Sequence, residues 1–94
     1  LFDHGLNAAS AERLQSAYRR HNTALLIWTI YERPRDYPAL YIARPHVVER
    51  GHTGPLPFHL QAPTLDLLRS QLPFGLAMLA RADGDDPCIV ETWL

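Results

Sequence analysis

The sequence contains no lysine and a single cysteine, Cys88. One thiol cannot form an intrachain disulfide, which fits a reducing compartment and makes the cytoplasm the expected location. All nine basic residues are arginine. The guanidinium fork suits bidentate grip of phosphate or carboxylate, although GC-rich codon usage explains the bias more simply. No apolar run approaches the roughly 18 residues of a membrane span, and no charged-then-apolar leader opens the chain. A formal net charge of −1 lacks the cation surplus that general nucleic-acid binding needs. The five glycines form neither a Gly-x-Gly-x-x-Gly nor a Walker-type loop. Ser10, Ser16 and Ser70 lack the flanking glycines of a nucleophile elbow. No cofactor is expected from this pattern.

What is present is a chain of 94 residues, 47% apolar and 20% charged, enough for one soluble globular domain with a thin core. It starts at Leu1 rather than Met, which suggests a fragment, a processed product or an artificial start. Residues 8–20 are good helix formers with Ala11, Leu14, Ala17 and Tyr18 on a narrow apolar stripe, and Asn7 or Ser10 is placed to cap them. Residues 1–23 are therefore expected to form a peripheral helical segment, ended by Asn22 and Thr23, ahead of a single domain over 24–94.

The run Leu25-Leu26-Ile27-Trp28-Thr29-Ile30-Tyr31 is apolar on both alternating sets, the pattern of a central strand. A proline-bracketed loop over 32–38 leads to a second β-rich run over 40–48, so the pair predicts a hairpin. Tyr41, Ala43 and Val47 fall on one side of the second run, with Arg44 and His46 on the other. Pro45 donates no ladder bond, which predicts an edge or a bend. The Gly- and Pro-rich stretch over 49–57 reads as a loop. Thr64 is a plausible N-cap and Asp66 suits the first turn of a helix that places Leu65, Leu68 and Leu72 on one face. Pro73-Phe74-Gly75 ends it, and residues 76–80 suit a short strand or connector. The closing strand over 88–94 puts Cys88, Val90 and Leu94 against Ile89 and Trp93. The expected class is α+β: a small antiparallel sheet of three main strands with two helices, in the order α-β-β-α-β.

Several clusters merit a chemical reading. His46, His52 and His59, with Glu49, have metal-ligating side chains, but no tight spacing holds them on one face, and solvated loop histidines explain them more simply. Asp83, Asp85 and Asp86 around Gly84 resemble the opening of a calcium loop without its closing glutamate, and an Asx-stabilised turn explains them more simply. Cys88 lies in an apolar strand, where cysteine behaves as an inert small hydrophobe. Arg33, Arg35, Asp36 and Tyr37 on the hairpin loop, with Arg44 nearby, are the residue types that grip an anionic group or anchor an interface, although a turn capped by Asp36 with the arginines paired to it and to Glu32 explains them more simply. Trp28 and Trp93, with Ile89, Tyr31 and Tyr41, offer more aromatic sheet surface than one thin helical layer covers.

From Trp28 onward the chain resembles a family of short uncharacterised bacterial proteins, a domain of unknown function. The motifs that carry the resemblance are Trp28-Thr29-Ile30-Tyr31, Arg33-Pro34-Arg35-Asp36-Tyr37-Pro38, Tyr41-Ile42-Ala43-Arg44 and Asp85-Asp86-Pro87-Cys88-Ile89-Val90-Glu91-Thr92-Trp93. It covers about the last two-thirds of the chain and implies no reaction. The order of elements is also similar to small antitoxin-like and regulatory modules that bind a protein partner, an analogy of fold alone.

Three functions follow as expectations. The first is a non-catalytic interaction or regulatory module, dimeric through its sheet aromatics or sheet edge, with partner-binding residues Arg33, Arg35, Asp36, Tyr37, Arg44, Trp28 and Trp93. The second is a small enzyme or binding protein for an anionic metabolite, with a concave pocket between the hairpin loop and the sheet. The third is metal binding through His46, His52 and His59.

Overall fold

The computed structural model describes residues 4–20, 24–82 and 84–94. Its elements are β1 (His4–Gly5), α1 (Ala8–Arg19), β2 (Ala24–Glu32), β3 (Tyr41–Glu49), β4 (His52–Pro55), β5 (Phe58–Ala62), α2 (Leu65–Gln71), β6 (Met78–Ala80) and β7 (Ile89–Trp93). The α+β class and both helices agree with the sequence reading. The sheet is larger than expected, with seven strands in the order β1-β5-β3-β2-β7-β6 and β4 beside β3. Among the described residues only the two-residue β1 pairs in parallel, with β5.

Local chemistry fixes the helix starts. Asn7 Oδ1 accepts from the Ser10 amide at 2.8 Å, and the Ser10 hydroxyl accepts from the Asn7 amide at 2.9 Å, a reciprocal cap that satisfies two otherwise orphaned donors. In α2 the Thr64 hydroxyl accepts from the Leu67 amide at 3.3 Å, and Asp66 sits in the positive first turn.

Both helices pack on the same face of the sheet. Ala11 and Leu68 meet Leu26, Trp28, Ile30, Ala43, Leu60 and Ala62 in one buried cluster. Each fully buried leucine- or isoleucine-sized side chain there contributes roughly 1.5–3 kcal/mol. The thin stripe of α1 is reinforced by a polar residue: buried Gln15 accepts the Trp28 indole N–H at 2.7 Å, so the largest core side chain keeps its hydrogen bond. Glu12 and Arg19, paired at 3.5 Å, reach from α1 to the turn after α2. There the Phe74 amide donates to Glu12 at 2.8 Å and the Phe74 carbonyl accepts from Arg19.

Three strand readings need correction. Residues 52–55 form β4 rather than loop, because Arg50 and Gly51, with φ of 50° and 81°, close a tight two-residue hairpin onto β3. Pro45 lies in a central strand, not at an edge. It opposes Trp28, whose own hydrogen bonds point to β7, while the Pro45 carbonyl turns the other way and accepts from Leu56 at 2.9 Å, in the gap between β4 and β5. The missing N–H therefore takes nothing from the β2–β3 ladder. In β7 the register steps from Ile30–Glu91 to Tyr31–Ile89, so Val90 is an extra, bulged residue, and both Val90 and Trp93 pack toward the helices. The expected stop at Asn22 and Thr23 lies outside the described residues, as does Asp83. Among the described residues no helix is long and apolar enough to cross a membrane.

Candidate functional site

Strand alternation assigns the side chains of the other sheet face. Register places Leu25, Ile27, Thr29 and Tyr31 of β2 beside Val48, His46, Arg44 and Ile42 of β3. Thr92 of β7 continues the Thr29 row, and Leu79 of β6 follows it. Among the described residues no helix or second sheet covers this face. Leu25 and Leu79 are 47% and 53% exposed.

Among the described residues the hairpin loop folds over one end of it, and Ile42 and Thr29 on this face are buried. Two successive turns shape the loop, with the Tyr37 amide donating to Pro34 at 2.9 Å and the Leu40 amide to Tyr37 at 3.2 Å. Pro38 at the second position of the latter turn supplies the φ that turn needs. The loop lays the Tyr37 ring 5.0 Å from His59, tilted by 41°, and His59 is buried with its Nε2 3.0 Å from Gln61 Oε1. Asp36 reaches Arg44 at 3.7 Å. Between loop and sheet lies a depression of about 230 Å³ lined by Tyr31, Pro34, Asp36, Ile42 and Arg44. Burial raises the Tyr31 hydroxyl above the usual phenol range, with Arg44 pulling it down and Asp86 pushing it up. Burial thus disfavours the phenolate that a base at this position would need.

The predicted binding residues are thus divided between two faces. Asp36, Tyr37 and Arg44 converge at the loop end, joined by Tyr31 and His59. Arg33 and Arg35 are exposed on the loop and do not line the depression; Arg33 has a φ of 47° and donates its amide to Leu40 at 2.9 Å. Trp28 and Trp93 are register partners, as neighbouring strands allow, but both point to the helical side. Trp28 is fully buried and offers no surface. Trp93 is half-buried and donates to Glu91 at 2.9 Å.

The histidines do not assemble. His46 and His52 sit three register positions apart along the β3–β4 hairpin, and His59 lies under Tyr37 on β5. Among the described residues no three His, Cys, Asp or Glu side chains group closely enough to hold a metal ion. Burial first, then Arg44, pushes the His46 imidazole below its ordinary value, while its bond to the Arg44 carbonyl opposes them. Asp85 and Asp86 act as turn formers, accepting from the amides of Ala82 and Cys88, each at 2.9 Å. Burial and the neighbouring Asp86 raise the Cys88 thiol, the opposite of nucleophile activation.

Sequence reasoning missed Glu91, Arg69 and Gln15. Glu91 is 3% exposed on β7 and accepts from Arg69 Nε and Nη2, each at 2.7 Å. A lone acid inside an apolar strand was the available signal, since such a group is buried only when paired. No family model, curated protein or solved structure matches the chain.

Proposed function

We propose that this chain is a non-catalytic interaction module, of bacterial type as its motifs suggest, that self-associates through the part of its sheet the helices leave bare. The observation that carries this reading is the stacking of α1 and α2 on one face, which leaves Leu25, beside Ile27 and Val48, and Leu79, beside Thr92, exposed on the other. Large apolar side chains left exposed on an uncovered sheet face are a common mark of an association site.

The state of the ionisable groups adds support. Glu91 is engaged by Arg69, Asp36 by Arg44, and Asp85 and Asp86 by turn amides, so they are occupied in holding the fold. The depression under the loop lends less weight to a small-anion site, because its one cation, Arg44, already faces Asp36.

Light scattering behind a sizing column tests the proposal. The unaltered protein should run at twice the chain mass at high micromolar concentration, and Leu79→Glu, on both the bare face and the outermost strand, should halve that mass. A monomer at that concentration contradicts self-association.

A further inference from the structure

We infer that two copies join by antiparallel pairing of their β6 edges, extending one sheet across a two-fold axis at Leu79. This rests on the self-association reading and specifies its geometry. Ala77 exchanges both backbone hydrogen bonds with Leu94, at 2.8 and 3.0 Å, so Ala77 and Leu79 face inward to β7. By alternation, the N–H and C=O groups of Met78 and Ala80 face outward, where the sheet ends.

The occupant that fits this edge is another β6. Placing Leu79 on the axis sets Met78 of each copy against Ala80 of the other, large against small, with the outward backbone groups exchanging hydrogen bonds. The two Leu79 side chains then meet on the bare face, where each is half exposed in the single chain. Charge permits the pairing. Residues 74–80 carry no ionisable group, and the first that follows, Arg81, falls opposite Ala77 of the second copy rather than opposite its own twin. Lysine, proline and bulges normally blunt an edge, and β6 has none of them. Its three residues give few backbone bonds, so Leu79 and Met78 must supply the apolar contact.

Ala80→Pro separates this edge from the bare face. It removes an outward N–H that β7 does not use, and an unchanged melting curve in dilute solution verifies the monomer. Leu25→Arg instead alters the face far from β6. The expected result is a two-fold drop in mass for Ala80→Pro with Leu25→Arg still dimeric. In a Cys88→Ser background, Leu79→Cys should also form an intermolecular disulfide on mild oxidation. A dimer that survives Ala80→Pro but is lost in Leu25→Arg overturns the edge pairing and leaves self-association standing. A monomeric unaltered protein overturns both.

Discussion

Replacing Arg69 with methionine tests how α2 is fastened to β7. Arg69→Met keeps a stem that packs like the arginine's and deletes the guanidinium that grips both Glu91 oxygens at 2.7 Å. Breaking a fully buried pair costs about 3–5 kcal/mol, whereas exposed pairs are worth about 0–1 kcal/mol. Here Glu91 is buried but the Arg69 side chain is 38% exposed, so the expected loss is intermediate, about 2 kcal/mol. For a chain of this size that lowers Tm by about 10 °C.

The pH dependence provides a second, independent reading. The Arg69 hydrogen bonds hold the Glu91 carboxyl below its ordinary value, with Trp93 adding to them and burial opposing. A group whose pKa is depressed by folding contributes stability that is present above its unfolded value, about 4.3, and is lost as pH falls through the folded one. In Arg69→Met the guanidinium is gone and burial raises the carboxyl instead. The stability gap between the two proteins should therefore be widest at neutral pH and close on acidification toward about pH 3. Urea unfolding at both pH values measures it. A neutral-pH loss below about 0.5 kcal/mol, or a gap of equal size at both, refutes the argument.

Gln15→Leu should cost about 1–3 kcal/mol in urea unfolding, because the buried Trp28 indole N–H loses its acceptor; a neutral result means the indole has found another. At the β3–β4 turn, Gly51→Val should lose about 1–2 kcal/mol at a φ of 81°, while Arg50→Asn should gain a few tenths. Equal melting temperatures for the two turn variants would contradict the conformational account.

Much of the local structure was legible because its causes are local. The caps at Asn7 and Thr64, both helices and the central hairpin depend on residues within a few positions of each other. The misreadings arose where the deciding partner is distant. Pro45 signals an edge until β2 supplies a position that needs no donor and the gap between β4 and β5 accepts its carbonyl. Val90 keeps a regular alternation until the step opposite Ile30 and Tyr31 inserts it as a bulge. β4 was hidden by its glycine and prolines, although Arg50-Gly51 between Glu49 and His52 has the length of a tight turn. The site divided for the same reason. Arg44 and Tyr31 share a face only through the β2–β3 register, and the tryptophans, in strands with apolar residues on both alternating sets, gave no sign of which side the helices would take.

The double grip of Glu12 and Arg19 on the Phe74 backbone ties the N-terminal helix to the connection that leads into β6, spanning 62 and 55 residues of chain. Whatever detaches that helix also slackens the approach to the outermost strand. The rim of the sheet is in this way tethered to a distant helix, and a nick or a ligand that displaced α1 would loosen the approach to β6 together with the packing around Trp28.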